Sequence, residues 1–419
     1  MTSELGTEAT VAAEDDFFVR AFADENRRDP YPLYAAERDA GPLLDTGTGA
    51  WFAFAHADCA ALLRSPHASS DERRSRLFEQ FAEHDERLAA MYDEQPSLLF
   101  LDPPDHTRLR GLVSRAFTPR VVNRLRDRAR EITADLLNAV EHHHGPDDEL
   151  DLVAALAYPL PVTIICELLG VPYADHGRFG AWSRDMARSV DPSVLRTDEE
   201  NRRIDASIGA VGEYIDALAN ERQRDPRDDL LSGLLAVEDD GDRLSRRELI
   251  DLAVLLLIAG HETTVNLIGN GTAALLRHPE ALTQLRTTPA LDRNATDELL
   301  RYDSPVQMTQ RVAIEPITLH DRTIPPGDQV IVVLGAANRD PQRFAQPDRL
   351  WLDRPDSAHH LAFGGGMHHC LGAALARMEG EVAITTLIRR FPNLALAGEP
   401  TLRPTFTLRG LEHLPVTLG

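Results

Sequence analysis

From Ser245 to Pro279 the chain carries an apolar run too long for a small domain to leave at its surface. Ser245 followed by Glu248 has the capping-box spacing of a helix start. Leu249, Ile250, Leu252, Leu255, Leu256, Leu257, Ile258, Leu267 and Ile268 continue it, and Pro279 ends it after Leu275-Leu276-Arg277-His278. At 1.5 Å per residue such a helix is about 50 Å long and crosses a whole domain. It has no heptad and is apolar almost all round, so it belongs in a core. Its longest unbroken apolar stretch, Leu252 to Gly260, falls short of the roughly 20 residues a bilayer span needs and ends in His261-Glu262, so no membrane crossing is expected.

The rest of the 419 residues supports a helical body around that rod. Apolar periodicity predicts helices over 31–40, 120–142, 153–169, 203–222 and 291–302. A strand is expected at Trp51 to Ala55. Between 306 and 335 the pattern turns strand-like at Val306, Val312, Ile314, Ile317, Leu319 and Ile331-Val332-Val333, with Pro325-Pro326-Gly327 as a turn. The tail from 394 to 418 reads as short strands and turns. The fold class is therefore mainly α with small β-sheets. The charged segment 67–97 has little periodicity and is expected to be a mobile surface stretch. Residues 1–18 read as a disordered, acidic tail without a secretory signal, and 19–419 as a single domain.

Composition removes several functions. Sixty-seven acidic residues against 44 basic give a formal net charge of −23, which argues against broad binding of nucleic acid or an anionic membrane. All the basic residues are Arg, so no lysine can form a Schiff base. Cys59, Cys166 and Cys370 are far apart, which gives no disulfide framework and fits a reducing cytoplasm.

Four short pieces carry chemistry. Ala259-Gly260-His261-Glu262-Thr263-Thr264 interrupts the apolar helix with groups that cost stability there. Gly260 lets another group approach the backbone, and Thr263 can bond the Ala259 carbonyl and loosen the turn. The plain alternative is a polar kink with a structural ion pair. The second piece, Phe363-Gly364-Gly365-Gly366-Met367-His368-His369-Cys370-Leu371-Gly372, is a glycine loop opening a helix. Cys370 at that helix N-terminus is placed as a thiolate, either an iron ligand, a zinc ligand or a nucleophile with His368 as base. Zinc is open because His359, His360, His368 and His369 lie nearby, although the paired spacing of structural zinc sites is absent. Third, Glu298 and Arg301 share a helix face, as an ordinary surface pair also would. Fourth, His106 and Arg110 follow Asp102-Pro103-Pro104 one turn apart, where they can grip a carboxylate or simply face solvent.

Taken together these pieces resemble the cytochrome P450 family, in its soluble bacterial form, over nearly the whole chain from about Asp29. The Cys370 segment matches the haem-binding signature Phe-Gly-x-Gly-x-His-x-Cys-x-Gly at every fixed position. The resemblance implies a helical body with a long central helix over haem b, whose iron takes Cys370 as axial ligand. It implies Glu262 and Thr263 as the catalytic acid and alcohol that deliver protons. It makes Ala259, Gly260, Phe363, Gly364 and Gly372 haem neighbours, and His106, Arg110, Arg311 and His368 the partners of the haem carboxylates. Glu298 and Arg301 match a structural Glu-x-x-Arg pair, with Arg349 as third partner; Leu350 departs from the Phe common after that Arg.

The activity so implied is oxygen insertion into a medium to large hydrophobic small molecule, such as a macrolide, terpenoid or steroid. O2 is the co-substrate, and a ferredoxin with its reductase is the electron source, since the sequence holds no Gly-x-Gly-x-x-Gly fingerprint. A monomer is expected. Arg108, Arg115 and Arg377 are expected to form a basic docking patch on the thiolate side. By resemblance the substrate walls are 85–100, the region near 180–192, Leu256 and Ala259, Val306 to Thr309, and Phe406 to Leu408. Leu99, Leu256, Val306 and Phe406 supply apolar surface, and Gln307 and Thr309 polar groups. Rival readings are a peroxide-driven or coupling haem–thiolate enzyme and a haem-based sensor.

Overall fold

The computed structural model describes residues 17–83, 85–92, 96–116, 119–191, 196–237 and 243–419. The helices that position the site are α1 (Tyr31–Ala40), α2 (His56–Arg64), α3 (Asp105–Ala116), α4 (Pro119–His143), α5 (Pro159–Leu169), α6 (His176–Ala187), α7 (Asp198–Arg224), α8 (Arg246–Arg277), α9 (Asp292–Tyr302) and α10 (Ala373–Arg390). One five-stranded sheet has the order β1 (Leu43–Asp45), β2 (Ala50–Ala53), β5 (Gln329–Val332), β4 (Thr309–Ala313), β3 (Ala68–Ser69). Its β2–β5 pair is parallel and its other pairs antiparallel. Near the C-terminus β6 (Thr401–Leu402) pairs with β7 (Leu411–His413).

The central rod is α8, with both halves of its capping box formed between Ser245 and Glu248. From Thr264 to Leu275 every residue is buried. Length and composition alone would let this helix cross a membrane, but 67% of its most apolar window is buried inside the protein. Its middle differs: Ala259 is exposed and Thr263 half-buried. These residues lie one turn apart on the same face, so that face borders open space rather than a packed neighbour.

Two expected boundaries change for physical reasons. The helix expected over 153–169 is a π-helical turn, Val153–Ala157, followed by α5. Pro159 has no N–H to continue the ladder, and the Tyr158 N–H reaches back five residues to the Val153 carbonyl (2.9 Å). α5 ends on Gly170 in the left-handed region (φ 77°), where a Cβ would lie 2.2 Å from an Asp229 carboxylate oxygen. Residues 1–16 lie outside the described residues, but Phe17 is not tail. It begins the helix Phe17–Phe22, is buried, and packs against Phe52 with ring centroids 4.6 Å apart.

The segment 67–97 also has more structure than its composition suggests. It forms short helices at Glu72–Arg74, Arg76–Ala82 and Glu86–Ala90. Polar contacts replace apolar periodicity there: Arg76 pairs with the buried Asp328, and Asp71 with Arg73.

Candidate active site

The loop before α10 is fixed by its backbone. Gly366 has φ 65°, and a Cβ there would stand 2.1 Å from the Leu63 carbonyl oxygen of α2. Only glycine fits such a position. The Cys370 N–H closes the loop on the Phe363 carbonyl (2.9 Å). Cys370 is exposed, and a Cβ added at Gly372 would meet the Cys370 sulfur, at 4.0 Å. Burial among protein atoms pushes the thiol up, while the Gly372 N–H, Arg110 and Arg377 act against it.

Next to this loop basic groups gather, with Asp102 acting on His106 and Arg311. His106 is buried, and its ring centroid lies 4.1 Å from that of His368. The Nε2 atoms of both are buried without a hydrogen-bond partner. Burial, then His106, Arg311 and Arg110, drive His368 down to about 3. Burial brings Arg311 to about 10, opposed by Asp102. Arg110 donates to the His369 carbonyl (2.6 Å), and burial lowers it as well. Asp102 itself accepts from Ser69 and from the Ser70 N–H. Two orphaned imidazole nitrogens beside the buried Arg311 and the half-buried Arg110 fit a flat cofactor carrying carboxylates. Such groups cost stability in a dry place until an anion meets them.

The remaining histidines diverge. His360 faces Asp297 (3.3 Å) and accepts from the Ala362 N–H, while His369 is exposed. Among the described residues no group of three or more His, Cys, Asp or Glu could hold a metal ion. The His368 ring rests on that of His106.

The polar notch in α8 is built as follows. Thr263 Oγ1 donates to the Ala259 carbonyl (3.0 Å). What approaches the backbone at Gly260 is α5: a Cβ there would stand 3.1 Å from Ile165. Glu262 is buried, its Oε2 accepts from Arg403, and its Oε1 lies 3.3 Å from His261 Nε2. Burial would raise the Glu262 carboxyl, but His261 and Arg403 bring it down to about 2.

Several expected placements change. Arg349 is not the third partner of Glu298 and Arg301. That partner is Arg354, whose Nε lies 3.0 Å from Glu298 Oε2, while the Arg349 side chain turns to Gln346 and only its carbonyl faces the cluster. Glu298 and Arg301 are fully buried, with Nε to Oε2 at 2.7 Å, so they are no surface pair. The docking patch is not a set of spare cations: Arg108 pairs with Glu248, Arg377 pairs with Asp297 (2.6 Å), and Arg115 has a contact of its own. Gln307 is buried and its Nε2 donates to the Ser304 carbonyl (2.7 Å), while its Oε1 has no hydrogen-bond partner among the described residues. Leu99 is exposed, and Leu256, Val306, Thr309 and Phe406 are half-buried. Of the expected walls, 93–95 and 192 lie outside the described residues. Arg354 and Arg403 were missed because each meets its partner across long sequence separation; an Asp-Arg pair four residues after Arg349 was the only hint.

The comparisons with known proteins agree with this geometry. The family profile of cytochrome P450 matches residues 74–288 and 291–408. The vitamin D(3) 25-hydroxylase of Pseudonocardia autotrophica is 43% identical over 401 residues, covering 94% of each chain. The 6-deoxyerythronolide B hydroxylase of Saccharopolyspora erythraea is 39% identical over 408 residues, covering 94% of this chain and 98% of that one. The crystal structure of Mycobacterium smegmatis CYP164A2 in its ligand-free state superposes with a TM-score of 0.87 at 41% identity, covering 96% of this chain and 99% of that one. The chain belongs to the cytochrome P450 family, in its bacterial form. It is a P450 monooxygenase, and its cofactor is haem b.

Proposed function

We propose that this monooxygenase hydroxylates or epoxidises a medium to large hydrophobic small molecule of polyketide, terpenoid or steroid type, with electrons from a ferredoxin and its reductase. Residues 19–419 act in this reading as one catalytic unit in the reducing cytoplasm. The observation that carries it is the loop with Cys370 exposed beside the basic cluster His106, Arg110, Arg311 and His368, in which both imidazole Nε2 atoms lack a hydrogen-bond partner among the described residues. Cys370 would hold the haem iron through its sulfur, itself held by the loop and by the Gly372 N–H. Arg110 and Arg311 would supply positive charge to the haem carboxylates, and the two imidazoles, neutral where they are buried, would donate hydrogen bonds to them. Bound there, haem b supplies oxygen activation, in which one atom of O2 enters the substrate and the other leaves as water with two electrons and two protons.

The chain's own residues do the rest. Ala259 and Thr263 present one face of α8 to the open side, and Thr263 keeps its hydroxyl anchored on the Ala259 carbonyl. Glu262 and Thr263 move protons inward. Leu99, Leu256, Val306 and Phe406 leave apolar surface for substrate, with Thr309 and the Gln307 Oε1 as polar groups. The names of the two hydroxylases, each acting on a bulky and mostly apolar molecule, support this substrate class. A screen of polyketides, terpenoids and steroids for the low- to high-spin shift of the haem tests it. A shift confined to small polar compounds, or to none of the three classes, overturns the substrate assignment.

A further inference from the structure

Glu262 is tied to a distant part of the chain. The guanidinium that holds its Oε2 belongs to Arg403, at the start of the turn 403–410 joining β6 to β7. Arg403 is itself fixed: its N–H donates to the Gly410 carbonyl (3.0 Å) and its Nε to the Leu411 carbonyl (3.3 Å). Gly410 lets the turn lie on α8, because a Cβ there would stand 1.8 Å from Asn266 Oδ1, one helical turn beyond Glu262.

The same turn touches the elements assigned to substrate. The N–H groups of Phe406 and Thr407 donate to the buried Asp191 (3.0 and 2.8 Å), and Thr407 Oγ1 to the Val190 carbonyl (3.0 Å). Arg188 donates to the Pro404 carbonyl. On the other side the Gln307 N–H donates to the Thr407 carbonyl (2.9 Å), and Val306 bridges to Leu408. A group pressing on Phe406 or on the 188–191 segment therefore presses on the backbone that carries Arg403.

We propose that Arg403 is a positioning residue for proton delivery: the turn 403–410 registers bound substrate, and through Arg403 it sets whether Glu262 stays clamped or is released toward Thr263. This rests on the acid–alcohol reading of Glu262 and Thr263. A carboxylate clamped by a permanent cation in a buried place holds no proton at neutral pH, so it has none to give until the clamp loosens. Once loosened, Glu262 takes a proton from solvent and gives it to Thr263 Oγ1, which passes its own hydrogen on to the reaction centre. The carboxylate then pairs with Arg403 again, and no electrons move in these steps. The other groups facing Glu262 are His261 and Tyr158, the latter with Arg184 over its ring. His261 donates from Nδ1 to the Leu257 carbonyl (2.8 Å) with Ser183 at its Nε2 (2.8 Å), so its ring is held by α8 and α6, whereas Arg403 is held by the turn 403–410 and moves only with it.

The test uses the full haem-loaded protein with Arg403→Gln, Arg403→Lys, Glu262→Gln and the Arg403→Gln/Glu262→Gln double variant. The first readout needs no turnover: the infrared band of a protonated carboxyl, assigned by its loss in the double variant. Arg403→Gln is expected to bring that band in at a pH at least about one unit above wild type, and Arg403→Lys to restore the wild-type position. The second is product formed per reductant consumed. Arg403→Gln should lower it several-fold and move its pH profile the same way, while substrate affinity read from the spin shift stays within about twofold. If Arg403→Gln leaves band and profile unchanged while Glu262→Gln uncouples turnover, Arg403 is only a clasp and the proposal falls. If Glu262→Gln stays fully coupled, the acid reading fails instead, and the infrared band alone shows whether Arg403 sets the charge of Glu262.

Discussion

At the scale of single residues, the two glycines flanking Cys370 do different work, and substitution separates them. Gly366→Ala forces a side chain into the left-handed region and onto the Leu63 carbonyl, so it should destabilise the protein even without haem. Among the described residues, chain neighbours aside, what an added methyl at Gly372 meets is the Cys370 sulfur. Gly372→Ala is therefore expected to leave urea unfolding of the haem-free chain within about 0.5 kcal/mol of wild type while weakening haem retention. Equal loss in both measurements would show that Gly372 serves the polypeptide instead. Arg311→Gln tests the basic cluster. Losing a buried charge-assisted bond costs about 1.5–3 kcal/mol, so haem transfer to excess apomyoglobin should speed up about tenfold or more. An unchanged rate would remove Arg311 from the carboxylate partners. Thr263→Ala should release peroxide in place of product, measured as peroxide per reductant consumed; a fully coupled variant would take the hydroxyl out of proton delivery.

At the scale of elements, the triad that joins α9 to the loop before Cys370 is a structural charge cluster. Glu298 accepts from Arg301, from Arg354 and from the Trp351 N–H (2.9 Å), and all three charged side chains are essentially inaccessible. Removing the one carboxylate leaves two guanidiniums buried without a counter-charge. Glu298→Ala is expected to cost about 3–5 kcal/mol, read from the denaturation midpoint. A loss below about 1 kcal/mol would mean that the cluster opens to water. Sequence spacing made the Glu298–Arg301 pair visible because helical geometry fixes residues three apart. It put the third arm on Arg349, since a short pattern cannot tell which of two arginines five residues apart turns inward. The turn at Trp351 to Arg354 decides that, and it hands the role to Arg354.

At the scale of the whole molecule, a buried acid on α10 links folding to pH. Glu379 is buried, its Oε2 has no partner, and burial holds its carboxyl well above the usual carboxylate range. In the unfolded chain it ionises near its ordinary value, so above that pH the native state binds more protons than the unfolded one. Its contribution to stability is thus fully present at low pH and is lost as pH rises toward the raised native value. Asp297, held low by His360 and Arg377 against its own burial, works the other way and loses its contribution only in acid. Glu379→Gln should therefore gain stability over wild type as pH rises from about 5.5 to about 8.5. A difference independent of pH would show that Glu379 is ionised in the folded protein.

What the sequence determined by itself was whatever depends on near neighbours in the chain. The rod at 246–277 follows from its apolar run and capping box, the sheet segments from alternation after residue 306, and the Cys370 loop from glycine spacing. Each is settled within a few residues, where backbone sterics and side-chain period act directly. Tertiary structure alone decided which charges meet. Arg354 rather than Arg349 completes the triad, Asp297 and Glu248 take the charges of Arg377 and Arg108, and Arg403 reaches Glu262 across 141 residues. The reason is that a charge's partner is chosen by burial and distance after the helices have packed. In a chain this rich in Arg, Asp and Glu, any sequence offers many candidate pairs and only the fold removes all but one.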